Sequence, residues 1–350
     1  MMNLKQYLEE MIRIPGVSGF EDEIRNYIAK KVKALGYTSH EDNLGDLLVE
    51  VGAKTGPPVI FVAHMDELGL VVSGRDPDGS LRIRKVGGID DRTLVGRVVE
   101  IKTEKGIVTG VIGIKPPHLM TDKEEMAKPV KWQDIRVDVG TRSRKETEKL
   151  GIKILDPMVI KKDISYIGKD LICSRGLDDR GGCAILLSAL ERLKGKTIPF
   201  RLVFAWSVQE EIGLRGASAI AFNLHPDYVF AVDTMTTTDA PMTEETYEKV
   251  KLGAGPALRM FDSVAIASPK LRKMIEQVAK SAKIPLQYGS GGGSTDGAAM
   301  QETGCLMMPL GIVMRYTHSP TECASISDME HMVELVLKII DRLAKDRRAG

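Results

Sequence analysis

Four short apolar runs, each leading into a polar or acidic cluster, set the tightest limit on how this chain folds. PPVIFVA runs into His64-Met-Asp66, RLVFAWSV into Gln209-Glu210-Glu211 and DYVFAV into Asp233, while CLMMPLGIV precedes His318 by a few residues. Unbroken apolar runs of this length suit strands buried on both faces, as in a parallel sheet. Helical patterns alternate with them. Phe20, Ile24, Tyr27, Ile28 and Val32 recur at helical spacing until Gly36, and further helical stretches begin near Arg180, Pro269 and Asp328. Ser18 with Glu21, and Ser327 with Glu330, read as capping boxes; Met332, Val333, Leu335, Val336 and Ile339 then share one face of a C-terminal helix. The expected fold class is α/β, a mixed, largely parallel sheet flanked by helices.

The texture changes between Leu70 and Gly168. Short alternating segments such as Ser80–Ile83 and Val98–Lys102 are punctuated by DPDG, GG and KG turns, the signature of small antiparallel β structure. A charged tract, TDKEEMAKPVKWQD, reads as a solvated loop within it. A chain of 350 residues exceeds a typical single core. We therefore expect a discontinuous catalytic domain, residues 1–69 plus 169–350, interrupted by a small β-rich insertion at 70–168.

Composition narrows the function. The formal net charge is +1 and the Lys and Arg residues are scattered, which excludes the concentrated basic face that nucleic acid requires. No apolar run approaches the roughly 20 residues that span a bilayer. The N-terminus, MMNLKQYLEEMIRIPG, lacks the continuous apolar core of a secretory signal. Cys173, Cys183, Cys305 and Cys323 form no CxxC pair and read as free buried thiols in a reducing compartment, so the expected location is cytoplasmic.

The polar clusters carry the chemistry. Ligands of open α/β sheets bind beyond the carboxyl ends of the strands, and His64, Glu210, Glu211, Asp233 and His318 all fall there. Asp178-Asp179, in GLDDRGG, sits at the entrance to a helix. Each piece alone has a plain reading: a satisfied HxD pair, a solvated EE face, acidic residues favouring a helix N-terminus. Together they place several ionised carboxylates at the ends of apolar strands, where desolvation is costly unless a cation is bound. Two divalent ions need a bridging carboxylate, further carboxylates and imidazoles, with room for water. Asp66, two residues from His64 on an extended chain, projects to the same side and is expected to accept the second imidazole N–H, fixing the tautomer.

In this order HMDELG, GLDDRGG, QEEIGLRGA, AVDT and RYTHSPTE, the chain resembles the M42 family of co-catalytic metallo-aminopeptidases. That group includes glutamyl, leucyl and lysyl aminopeptidases of the tetrahedral type and proteins once labelled endoglucanases. The likeness runs from the first helix to the last, through GVIGIKPPHLM in the insertion and GGGSTDGAAMQ before the final apolar run. It implies a zinc-peptidase-like fold in which Asp178 bridges two metals. His64 and Asp233 would complete one ion's shell, and Glu211 and His318 the other's. Glu210 would be the general base and Asp66 the partner of His64. His40, His225 and His331 are left without a role. His118, in the insertion, reads as structural, with approach to a neighbouring subunit's site as the alternative. Two segments depart from the family pattern, TMTTTDAPMTEETYEK after Asp233 and GIVMRY before His318.

The function so implied is removal of N-terminal residues from short peptides, with two divalent ions, zinc or cobalt, per subunit. Glu210 would take a proton from the attacking water and pass it to the leaving amine. A two-metal deacylase or carboxypeptidase is the nearest alternative. A glycoside hydrolase fits less well, because its two carboxylates stand roughly 5–9.5 Å apart across the substrate whereas Glu210 and Glu211 are adjacent. A non-catalytic binding module would leave the base and ligands unused. The family also implies a homo-oligomer, from a dimer up to a dodecamer, with the β-rich insertion forming the contacts.

Overall fold

Val59–His64, Arg201–Ser207, Tyr228–Thr236 and Leu306–Arg315 all form strands, as the apolar runs require. They are the four central, mutually parallel strands of an 11-stranded mixed sheet. The computed structural model describes residues 3–120, 128–241, 243 and 249–346. Within Val59–His64 every residue is buried, because both faces of the sheet are covered. Val59, Phe61 and Ala63 join one apolar core, and Ile60 and Val62 join another on the opposite side. Phe61 stacks with Phe204 and Phe230 of its two neighbours, at centroid distances of 6.0 and 4.7 Å. These rings are in register across the three strands, which brings the carboxyl ends of the strands to a common level, with Ser207 opposite His64.

Helices Leu4–Ile12, Asp22–Ala34, Leu177–Arg192, Pro269–Ala282 and Ile326–Asp346 pack on one face. Arg215–Leu224 and the short Asp296–Gln301 cover the other. The sheet edges are antiparallel: Ser39–Glu41 with Leu47–Gly52 on one side, Glu322–Ser325, Leu171–Ser174 and Ser165–Ile167 on the other.

Between the third strand and the long central helix, six strands close into a small barrel. Their order is Gly69–Arg75, Leu81–Val86, Val137–Asp138, Gly106–Ile112, Arg97–Thr103, Pro157–Ile160. Its core is separate, built from Leu70, Val72, Leu81, Ile83, Val99, Ile101 and their neighbours. Residues 121–127 of the charged tract lie outside the described residues.

Three local expectations are corrected. Ser18 and Glu21 do not cap the helix Asp22–Ala34, whose N-terminus has no side-chain cap. Their oxygens are turned toward the strand ends instead. The C-terminal helix begins at Ile326, one residue before Ser327, and it is Ser325 Oγ that accepts from Asp328 N at 3.0 Å. The four cysteines are not all free. Cys173 and Cys323 face each other across paired antiparallel strands and form a disulfide, while Cys183 and Cys305 are buried thiols. Sequence spacing could not show this pairing, since the partners are 150 residues apart. Among the described residues no helix is long and apolar enough to cross a membrane.

Candidate metal centre

The parallel strands deliver their polar termini to one place. His64 is the last residue of its strand, Asp233 lies in the second half of Tyr228–Thr236, and His318 follows Leu306–Arg315. Asp178 enters from the first turn of Leu177–Arg192, which starts at Gly176 with φ of 72°. A Cβ at Gly176 would lie 2.5 Å from Glu67 Oε2, so only glycine admits the turn here. Asp178 and Asp179 are joined by a cis peptide bond. Asp179 turns away from the centre, accepting from Gly182 N at 2.9 Å.

Asp178 stands between the two imidazoles. Its Oδ1 is 3.3 Å from His64 Nε2, and its Oδ2 is 3.6 Å from His318 Nε2. His64 Nε2 is also 4.0 Å from Asp233 Oδ1 and 4.0 Å from Glu210 Oε2, and His318 Nε2 is 3.8 Å from Glu211 Oε2. Two ligand triads result, each with donor atoms within 4.8 Å of one another: His64–Asp178–Asp233 and Asp178–Glu211–His318. They share Asp178. A third close group, His64–Glu210–Glu211, brings Glu210 against both.

The supporting contacts explain why these side chains stay put. Thr234 Oγ1 donates to Asp178 Oδ2 at 3.1 Å. Glu322, fully buried, accepts from Asp178 N and His318 N at 3.1 and 3.0 Å, tying the two segments together. His64 Nδ1 lies 3.1 Å from the Asp66 main-chain carbonyl and 3.5 Å from Asp66 Oδ1. The nearer acceptor is therefore the carbonyl rather than the expected carboxylate. Either way Nδ1 donates, which leaves Nε2, the nitrogen facing the centre, to bind a cation once its proton is displaced. The Asp66 carboxylate is occupied elsewhere: it accepts from Ser18 Oγ (2.6 Å), Glu210 N (3.0 Å) and Glu211 N (3.2 Å).

Electrostatically the cluster calls for a cation. Burial, reinforced by Asp233, Asp296 and Glu211, pushes the Glu210 carboxyl well above its usual range. Burial and the charge of Asp178 do the same to Glu211, and Asp233 is pushed up to about 6 by burial and Asp178. Burial opposes a charge on His64, but Glu210, Asp178 and Asp66 overcome it and raise the imidazole well above its ordinary value. Glu211 Oε1 is buried with no hydrogen-bond partner among the described residues. Mutually repelling carboxylates, imidazole lone pairs and an orphaned oxygen are the donor set that divalent ions satisfy. A small cavity lined by Leu68, Leu70, Ile89, Ile160 and Pro320 lies against Asp178 and His318.

All seven residues singled out in the sequence thus meet here. Five supporting residues were not anticipated: Ser18 on Asp66, Glu322 on Asp178 and His318, and Asp296, Asp46 and Glu21, which accept from Ser207 Oγ, Val208 N and Gln209 N just before the two glutamates. Ser18 and Glu21 were readable as polar residues near a helix start, but not as parts of a site. His118 lies on an exposed turn, Pro117–Leu119. In the glycine-rich segment 289–297, a Cβ at Gly291 would come within 2.6 Å of Arg259 Nε, and Arg259 Nη2 donates to Gly292 O at 2.6 Å. Parts of the divergent segment after Asp233, residues 242 and 244–248, lie outside the described residues.

Residues 45–335 match the family model described as M42 glutamyl aminopeptidase. The chain belongs to the M42 family. A putative aminopeptidase of Acetivibrio thermocellus is 36% identical, covering 95% of this chain and 97% of its own length. The lysyl aminopeptidase of Pyrococcus furiosus is 32% identical, with 97% of each chain covered. Among solved structures, the TET1 peptidase of Pyrococcus horikoshii superposes with a TM-score of 0.89 at 38% identity, covering 97% of this chain and 99% of that one. M42 membership makes this chain a peptide hydrolase of the aminopeptidase class, and the sheet, helices and small barrel are those of the TET peptidases.

Proposed function

We propose that this M42 chain removes N-terminal residues from short peptides with two divalent cations, zinc or cobalt, and with Glu210 as the general base. The observation that carries the reading is the pair of ligand triads sharing Asp178. His64, Asp178 and Asp233 would hold one ion, and Asp178, Glu211 and His318 the other. The cations, when bound, supply Lewis acidity toward a carbonyl oxygen and make a nearby water more acidic.

The remaining steps belong to the chain. Glu210 belongs to neither triad, and its Oε2 reaches the centre from the side of His64. It accepts a proton from water at that oxygen and returns it to the departing amine. Asp66 fixes the main chain of both glutamates, so base and ligand keep separate places. The small cavity beside His318, lined by Leu68, Leu70, Ile89 and Ile160 together with Glu67, Arg175 and Glu322, flanks the centre on that side.

The test separates the two glutamates. Glu210→Gln keeps both metals and binds peptide but loses at least about 10²-fold in turnover. Glu211→Gln loses affinity for one metal, and excess metal restores part of its activity. Exchanged phenotypes in metal analysis and turnover would overturn the assignment.

The P. horikoshii TET1 peptidase can assemble into a tetrahedron or a large octahedral shell. We propose that this chain likewise forms a homo-oligomer, with residues 70–168 as the assembly domain. Val98, Ile107 and Val111 of the barrel are exposed, an apolar surface suited to contact. Light scattering on a chain with 70–168 replaced by a short linker should find the assembly lost. A cytoplasmic location is proposed as well. Cys173–Cys323 fits it only where intracellular disulfides persist, as in hyperthermophiles.

A further inference from the structure

Residues 207–211, which carry the proposed base and one ligand, are held at every position by a buried carboxyl group from elsewhere in the chain. Ser207 Oγ donates to Asp296 Oδ2. Val208 N donates to Asp46 Oδ1 at 2.8 Å and Gln209 N to Glu21 Oε1 at 3.1 Å. Glu210 N and Glu211 N complete the series on the two oxygens of Asp66. The segment needs this support, because Gln209 has φ of 56°, a left-handed conformation that a non-glycine residue adopts at a cost.

We propose that Asp46 is a positioning residue for Glu210, acting through the main chain of Val208. This inference rests on the reading of Glu210 as general base. Asp46 is fully buried and touches no proposed ligand, so any influence on the reaction travels through the loop. It is itself fixed at the end of a tight turn in which Asp42 Oδ1 accepts from Leu44 N, Gly45 N and Asp46 N at 2.9–3.0 Å. Gly216 closes the arrangement: its N donates to Val208 O at 3.0 Å, and a Cβ there would lie 2.1 Å from Asp46 Oδ1. Asp46, Val208 and Gly216 thus interlock, two residues upstream of Glu210. Glu210 N and Glu211 N are both anchored on Asp66, but Val208 is two residues from the base and three from the ligand, so loosening Val208 bears first on Glu210. Burial, helped by Asp42 and Asp296, pushes the Asp46 carboxyl up to about 9. The group is neutral at working pH, and an asparagine can copy both its shape and its acceptor oxygen.

The experiment compares Asp46→Ala, Asp46→Asn and Gly216→Ala in the metal-loaded, full-length enzyme. Turnover, KM and metal content are measured on an aminoacyl-p-nitroanilide. Asp46→Ala should lose about 10- to 100-fold in kcat, with KM and both metals retained, as a misplaced catalytic group does. Asp46→Asn should stay within about threefold of the parent, the rescue that separates a neutral acceptor from a charge. Gly216→Ala keeps the carboxyl but puts a Cβ 2.1 Å from Asp46 Oδ1 and 2.7 Å from Val208 N and O, so it disturbs the Asp46–Val208 contact and the Val208 main chain together and should show the same kcat loss; full kcat in this variant decides against the proposal if Asp46→Ala does not fold. Full kcat in folded Asp46→Ala or Gly216→Ala overturns the proposal, as does equal loss in the Ala and Asn variants. Glu210→Gln runs alongside. If it turns over normally, the base assignment fails whatever Asp46 does; if it is metal-loaded and inactive while Asp46→Ala is fully active, only the positioning role fails.

Discussion

Ser18 Oγ donates a 2.6 Å hydrogen bond to Asp66 Oδ2, joining the loop after the first helix to the end of the His64 strand. Both residues are buried. A hydrogen bond to a buried charged acceptor is worth about 1.5–3 kcal/mol, so Ser18→Ala should lower unfolding free energy by about that amount. Urea titration of the variant checks this; an unchanged midpoint would show that Glu210 N and Glu211 N satisfy Asp66 alone.

Asp178→Asn should weaken both metal sites together. The amide keeps the shape but lacks the charge that both triads draw on. Elemental analysis of the purified variant should find both ions depleted. Retention of two tightly bound ions would show that Asp178 is not their common ligand.

Stability should depend on pH through Asp46. Its ordinary value of 3.8 is raised to about 9 in the folded chain. Above about pH 4 the unfolded chain has released this proton while the folded chain retains it, so the folded state binds more protons. Stability therefore falls as pH rises from about 4 to about 9. Asp46→Asn removes this contribution and should flatten the decline, its gain over the parent growing with pH until it levels off at about pH 9. Denaturation curves at several pH values test the slope; parallel declines in the two proteins would show that Asp46 ionises normally.

Glu67 gives the opposite sign. Its burial favours the neutral acid, but Arg175, Lys162 and Arg180 outweigh that and hold the carboxyl down at about 2. The stabilisation is present above about pH 4.5 and is lost as pH falls toward about 2. Glu67→Gln takes from Arg175, Lys162 and Arg180 the buried carboxylate they share and should destabilise by about 3–5 kcal/mol at neutral pH. A variant with an unchanged melting temperature would mean that these cations are satisfied elsewhere.

Opening the Cys173–Cys323 disulfide frees a loop of 150 residues in the unfolded chain. Cys173→Ser with Cys323→Ser should lower stability by about 2–4 kcal/mol. Thermal melts of the double variant and of the reduced parent should agree; no difference from the oxidised protein would show that the reduced thiols pack as well.

The strand ends were legible because burial on both faces leaves an unbroken apolar run, and a charged residue that ends such a run has few reasons to be there. His64, Glu210, Glu211 and Asp233 are readable on that ground, and the family likeness assigns their roles. What stayed hidden was support. Ser18 and Glu21 obey a helix-capping spacing, yet their oxygens serve Asp66 and Gln209, up to 188 residues away. Asp46 and Asp296 sit in turn-like segments, DNLGD and GGSTDG, where acidic residues are ordinary. The barrel announced itself as β structure through its turns, but a two-residue strand, Val137–Asp138, is needed to close it, and no pattern marks so short a piece.

The convergence on residues 207–211 has a consequence for the newborn chain. Its anchors come from positions 21, 46, 66 and 296, and the last imidazole from 318. A ribosome-bound fragment that already contains both glutamates still lacks the Asp296 anchor and two of the donors, Asp233 and His318. The proposed centre therefore assembles late, once His318 has left the ribosome, and any hydrolysis at it waits until then.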